Sequence, residues 1–197
     1  MMKYILNIFV LLFIITSVSI AQQSESDIRQ LLDDRDEEIK ELLGPRGTEY
    51  SQDQRDRLKN IINDIIDYSA MAREALGDTY NEISDEQKEE FTSLFATIIR
   101  DNSLNRLDIY RATVTYNAIN LDNGQAVVRT TAELENVRTS VDYEMEFSEG
   151  SWFITDMTID DVSTVDSYNR QFQSIIRQRG FDALLQSLQR RAARSST

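Results

Sequence analysis

Three carboxylates gather at Asp156, Asp160 and Asp161, and a second acidic run, Asp33-Asp34-Arg35-Asp36-Glu37-Glu38, lies near the start of the chain. Paired carboxylates can divide general-acid and general-base work between them, or hold a cation. The second run has neither the ligand spacing nor the central glycine of a calcium loop and reads as a solvated helix face. The first reads as a strand-end turn feeding a helix N-terminus, where the helix dipole favours negative charge. The chain of 197 residues contains no His and no Cys. That removes His/Cys zinc sites, Ser-His-Asp and Cys-His nucleophile systems, disulfides and thiol redox chemistry together. An enzyme built from what remains would have to use a carboxylate or a phenol, such as Asp67 with Tyr68, or Tyr143. The six glycines are isolated, so no glycine-rich phosphate loop is present. With 21 basic against 34 acidic residues, the net charge of -13 repels phosphate backbones and anionic membrane surfaces. Neither nucleic-acid binding, nor a metal, nor a catalytic set is expected.

The elements that would carry these residues follow from periodicity. Lys3, the mostly apolar run Tyr4 to Val18 and the small residues Ser19-Ile20-Ala21 form a signal peptide pattern, with the mature chain expected from Gln22. The run is shorter than the ~20 apolar residues of a membrane span. No Cys follows it, so a lipid-modified N-terminus is not expected. Residues 1–21 are thus read as a signal peptide and residues 22–197 as one exported domain. Ser26 is placed to cap a helix carrying Ile28, Leu31, Leu32, Ile39, Leu42 and Leu43, ended by Gly44-Pro45. Ser51 and Gln54 form a capping-box pattern before Leu58, Ile61, Ile62, Ile65 and Ile66. Asp67-Tyr68-Ser69 breaks and recaps the chain, Gly77 stops the short helix that follows, and Ser84 with Gln87 opens another carrying Phe91, Leu94, Phe95, Ile98 and Ile99.

Beyond Arg106 the apolar period changes from 3.6 to 2. Tyr110, Ala112, Val114, Tyr116 and Ala118 alternate with polar residues, Asp122-Asn123-Gly124 makes a turn, and Val128, Thr130, Ala132 and Leu134 alternate after it. Val141, Tyr143, Met145 and Phe147 form a third strand, and Glu149-Gly150 turns into a fourth from Trp152 to Ile159. Ser163 with Asp166 caps a helix carrying Val165, Tyr168, Phe172, Ile175 and Ile176, stopped at Gly180, and a last helix carries Phe181, Leu184, Leu185 and Leu188. The order predicts an α+β fold: amphipathic helices, a four-stranded curved antiparallel meander, then helices. One face of this sheet is unusually rich in large side chains, and helices closed over it would leave a cone, either packed or hollow.

The run Ile66-Asp67-Tyr68-Ser69-Ala70-Met71-Ala72-Arg73-Glu74-Ala75-Leu76-Gly77, followed by Ser84-Asp85-Glu86-Gln87-Lys88-Glu89-Glu90-Phe91 and Phe95, resembles the MlaC (toluene-tolerance) family of periplasmic phospholipid-binding proteins. Gly150-Ser151-Trp152-Phe153-Ile154-Thr155-Asp156-Met157 is similar to that family's Trp-x-Val-x-Asp strand. Val162-Ser163, Tyr168-Asn169-Arg170-Gln171-Phe172 and Gly180-Phe181-Asp182-Ala183-Leu184-Leu185 are similar to its closing helices. One position departs: the family has glycine before the Val-Ser corner, and here Asp161 stands there, one of the few residues that tolerates positive φ.

The resemblance implies a nuclear-transport-factor-2-like cone with a lipid cavity. It also implies a soluble periplasmic carrier, not an enzyme, with bound phospholipid as cargo and no cofactor. Its partners would be an inner-membrane ABC transporter complex with its substrate-binding subunit and an outer-membrane lipoprotein complex, and its role the maintenance of outer-membrane lipid asymmetry. A carrier of another lipid, such as a hopanoid, stays open beside this. The expected lipid contacts are Val114, Tyr116, Val141, Tyr143 and Met145 on the dry strand faces, with Tyr68, Met71, Phe95, Trp152, Ile154, Tyr168 and Phe172. From Ser167 onward six arginines face a single acid, Asp182. They are either a solvated helix face or a docking surface, for which Arg177, Arg179, Arg190 and Arg191 are the candidates.

Overall fold

The computed structural model describes residues 24–47, 49–104 and 107–195; the expected signal peptide, residues 1–21, lies outside them. Four helices of the N-terminal half have their starts written in side chains. In α1 (Glu25–Leu43) the Ser24 hydroxyl accepts from the Asp27 amide at 3.2 Å while the Asp27 carboxylate accepts from the Ser24 amide at 3.1 Å. The helix therefore starts two residues before the Ser26 cap expected from sequence. Ser24 has a carboxylate three residues ahead to complete a reciprocal box, whereas Ser26 has Arg29 there. Ser51 with Gln54 caps α2 (Gln52–Asp64), Asp67 caps α3 (Tyr68–Leu76) through the Ala70 amide, and Ser84 with Gln87 opens α5 (Asp85–Leu104). A single-turn helix, α4 (Thr79–Glu82), links α3 to α5.

The sheet is an antiparallel meander in the order β1 (Thr113–Asp122), β2 (Gln125–Leu134), β3 (Val137–Ser148), β4 (Ser151–Ile159), β5 (Val162–Ser163). It has one strand more than the four expected. All four connections are two-residue turns: Asn123-Gly124, Glu135-Asn136, Glu149-Gly150 and Asp160-Asp161, with positive φ at both residues of each. Such turns match the twist of the strands they join. The two-residue β5 was too short to show alternation in sequence, and it exists because the Asp160-Asp161 turn folds Val162 back onto Ile159. Asp161 sits at φ 63, a left-handed conformation that aspartate tolerates.

Two further expectations are corrected. Residues Leu107–Arg111 form a 3-10 helix and not the start of a strand. The Arg111 guanidinium holds this turn in place by donating to the carbonyls of Leu43, Gly44 and Pro45 at the end of α1, to the Tyr50 hydroxyl and to Asp108. In β1 the register slips between Tyr116 and Ala118, so Asn117 is bulged out. The slip takes Ala118 off the face of Val114 and Tyr116, where simple alternation placed it, and brings in Ile119 and Leu121 opposite the buried Val128 and Ala126.

After the sheet, Ser163 caps α6 (Thr164–Arg179), and α7 (Phe181–Ser195) follows Gly180. Asp156 is 4% exposed and accepts from Ser163 Oγ and from the amides of Met157 and Val165. It is consumed in joining β4 to α6, so it is satisfied and has no free oxygen turned towards a substrate. At the other junction, Ile154 of β4 bonds through its N–H to Ile65 and through its C=O to Asp67. The end of α2 is thereby stitched alongside the sheet. Among the described residues, no helix is long and apolar enough to cross a membrane, and no cluster of acidic side chains is arranged to hold a metal.

Candidate functional site

The space between α1, α2 and the concave face of the sheet is not filled. A cavity of about 140 Å³ lies there, walled by Leu32, Arg35, Asp36 and Ile39 from α1, by Ile61, Ile62, Ile65 and Ile66 from α2 and its end, and by Tyr110, Val114, Tyr116, Tyr143, Ile154 and Met157 from the sheet side. Its wall is overwhelmingly aliphatic and aromatic. The amphipathic spacing explains the helical part: Ile61, Ile62, Ile65 and Ile66 form a double-width stripe, wider than one packing contact needs.

The polar groups of this wall are few and neutralised. Arg35 pairs with Glu38 at 3.0 Å and Asp36 with Lys40 at 2.7 Å, both along α1. Arg29 lies 4.8 Å over the Tyr116 ring and pairs with Asp33 at 3.6 Å. Burial, reinforced by Tyr110 and Asp36, pushes the Tyr143 phenol up to about 12, and burial with Asp33 drives Tyr116 upward too. Both phenols therefore stay protonated throughout the physiological range. They present neutral hydroxyls and rings, not bases, and the chemistry this arrangement supports is sequestration of an apolar group.

Of the residues expected to contact lipid, Val114, Tyr116, Tyr143 and Ile154 stand in the cavity wall. Val141 sits one pleat beyond Tyr143 on the same face of β3, outside that wall. Met145 is 2% exposed and packs opposite Ile154, and Trp152 packs edge-on against Phe147 at 5.4 Å. Met71, Phe95 and Phe172 are fully enclosed elsewhere, in a cluster of α3, α5 and α6. There Phe95 meets Tyr168 at 5.0 Å and Phe172 at 5.7 Å, and Tyr168 meets Phe172 at 5.4 Å. Tyr68 lies under Arg100 with its hydroxyl donating to Asn63, and burial raises it to about 12. The structure thus separates eleven of the twelve positions into a cavity wall and a packed interior, with Val141 half-buried outside both. Sequence reasoning missed the contribution of α1 and α2, although the isoleucine stripe was readable, and missed Met157 because the bulge near Thr155 shifts which β4 residues face inward.

Arg177, Arg179 and Arg190 are exposed on α6 and α7. Arg191 is half-buried, over the Tyr168 ring at 5.9 Å and within 3.5 Å of Asn102 Oδ1.

No protein of curated function matches the chain. Among solved structures, the phospholipid-binding protein from Ralstonia solanacearum, in complex with a phospholipid, superposes with a TM-score of 0.74 at 22% identity, covering 89% of this chain and 99% of that one. The two share a fold, and that fold in the Ralstonia protein holds a phospholipid. The family model described as MlaC protein matches residues 36–190, most of the helices and the whole sheet. On that match, which takes in every cavity-wall residue but Leu32 and Arg35, the chain belongs to the MlaC family.

Proposed function

We propose that this protein is a periplasmic phospholipid carrier, exported by a signal peptide over residues 1–21, that shields acyl chains in the cavity beneath α1 and α2. The observation that carries the reading is an apolar hollow, walled by isoleucines and protonated tyrosines, in a fold shared with a phospholipid-bound protein. Membership of the MlaC family and the fold shared with a phospholipid-binding protein favour a binding protein over an enzyme. The energetics suit a shuttle: at ~0.8 kcal/mol per methylene, ten to fifteen sequestered methylenes give roughly 8 to 12 kcal/mol gross. The acidic body of net charge -13 avoids indiscriminate adsorption to anionic bilayers and leaves handover to dedicated partners.

Those partners are an inner-membrane ABC transporter complex, with its substrate-binding subunit, and an outer-membrane lipoprotein complex, and the traffic between them maintains outer-membrane lipid asymmetry. The exposed Arg177, Arg179 and Arg190, with Arg191 beside them, supply the positive surface for docking on acidic partner faces. Native mass spectrometry of protein purified from a Gram-negative periplasm, followed by lipid extraction, tests the reading. A phospholipid adduct is expected. Lipid-free protein, or a cargo with no phosphate, would overturn it.

A further inference from the structure

The strand register carries the cavity wall outward onto the surface. Tyr143 and Met157, opposed across β3 and β4, line the cavity. One pleat further on the same face stand Val141 and Ile159, again opposed, and Ile159 is opposed in turn by Val162. Val137 shares the same parity at the start of β3, beyond the half-buried Thr139, whose methyl continues the face. Val137 is 64% exposed, Ile159 45% and Val162 55%, three of the four large hydrophobics found exposed among the described residues. Scattered apolar residues need no explanation, but a strip continuous with an apolar cavity does.

The cavity alone is also small. Its 140 Å³ falls short of the roughly 300–1,000 Å³ of ligand pockets, so a phospholipid has more chain than this hollow encloses. From Tyr143 to Val137 the strand advances six residues at about 3.3 Å each, roughly 20 Å against the roughly 15 Å of one leaflet of bilayer hydrocarbon.

We propose that the strip formed by Val137, Val141, Ile159 and Val162 is an extension of the lipid site, over which an acyl chain runs on leaving the cavity between Tyr143 and Met157. This rests on the phospholipid reading above and specifies where the chain lies. Charge selects the occupant. Among the described residues, the exposed Asp160 and Asp161 stand unpaired with any cation between Ile159 and Val162, while the charges beside Val137 are paired, Glu135 with Arg46 and Arg138 with Glu133. Carboxylates on this edge oppose seating of the strip on an anionic bilayer, whereas an uncharged chain needs only the apolar face.

The chain has no native cysteine, so single cysteines at Val162 on the strip, Val114 in the cavity wall and Gln186 on the exposed side of α7 can each carry a bimane fluorophore. The probe is phosphatidylcholine spin-labelled on its acyl chain, loaded by exchange from vesicles. Quenching at both Val114 and Val162, severalfold above that at Gln186, is the expected result. Quenching at Val114 alone would overturn the strip while leaving the carrier reading intact. No quenching at any position would overturn both. A Val162 signal that changes with protein concentration in the absence of lipid would make the strip a contact between copies and overturn the proposal. As an independent check, the triple variant Val137→Ser, Ile159→Ser, Val162→Ser changes only exposed positions. It should unfold at the wild-type temperature yet lose bound phosphatidylcholine on the order of tenfold faster; unchanged retention would contradict the strip.

Discussion

Helices meet their neighbours in two different ways in this molecule. Around α3, α5 and α6, Phe91, Phe95, Tyr168 and Phe172 interlock with ring centroids 5.0 to 5.7 Å apart, in stacked, tilted and edge-on geometry. Flat rings of this size fill space efficiently, and the residues at the centre are fully enclosed. Under α1 and α2 the sheet is met instead by branched aliphatics, and the space is left open. The two regions also differ in how they are tied down. The interior cluster is held by packing and by Asn169 and Gln173 of α6 donating to the carbonyls of Glu74, Ala75 and Leu76 at the end of α3. The α1–α2 connection is held by the Arg111 guanidinium, reaching four acceptors between Leu43 and Tyr50, and by the ion pair of Arg46 with Glu135. A densely packed half thus stands beside a hollow half, with Arg111 the pin on the connection between α1 and α2.

This contrast is breakable by mutation, and the largest effect belongs to the packed half. Phe95→Ala should cost about 3–5 kcal/mol and lower the melting temperature by on the order of 10 °C, measured by thermal unfolding, because the cluster cannot collapse into the space left. Next comes the pin. Arg111→Ala should cost about 1–3 kcal/mol in chemical denaturation and speed lipid exchange, and Arg111→Lys should restore little of either, since an ammonium cannot span several carbonyls. Replacing the exposed Arg177, Arg179 and Arg190 together with Gln should leave lipid load and melting temperature nearly unchanged while slowing transfer to acceptor complexes and weakening its salt dependence, as followed by lipid-transfer kinetics.

The smallest effect is a pH dependence from Glu74 on α3 and Glu144 on β3. Partial desolvation raises Glu74 and Glu144 above the usual glutamate value, reinforced by the neighbouring carboxylates Asp156 and Asp166 and, at Glu74, by Glu144. A carboxyl whose folded value is raised contributes stability below its ordinary value and loses it as pH rises through the folded one. The melting temperature should therefore rise slightly on acidification from pH 7 towards the upper glutamate range. The variant Glu74→Gln, Glu144→Gln should lack that rise.

Much of this arrangement was legible in the chain, and the parts that were not have definite causes. The capping pairs Ser51/Gln54 and Ser84/Gln87, the break at Asp67 and the Asn123-Gly124 turn are local signals, and local hydrogen bonds decide them. The start of β1 was misplaced because Arg111 is claimed by the end of α1, a partner 67 residues away. The facing of Ala118 was misplaced because a bulge resets the alternation, and nothing in Tyr116-Asn117-Ala118 announces it. The division of the aromatic and aliphatic residues into wall and interior was the least legible. Met145 and Tyr143 lie two apart on the same face of β3, yet one is packed against Ile154 and the other borders empty space. Periodicity reports which face is dry and not whether that face is filled.

The central claim is that the hollow beneath α1 and α2 is where lipid resides. Val114 is half-buried in its wall, so Val114→Glu adds a carboxylate there without removing a packed core residue. Acyl methylenes beside an ionised carboxylate lose the apolar surroundings that hold them, unless the group protonates at a cost of its own. The direct measurement is the phospholipid bound per molecule in wild type and Val114→Glu, read by native mass spectrometry on protein whose melting temperature has been verified. The account predicts near-complete loss of the phospholipid adduct in the variant, with the fold retained. An adduct of equal abundance in a folded Val114→Glu protein would contradict it and move the lipid site away from this cavity.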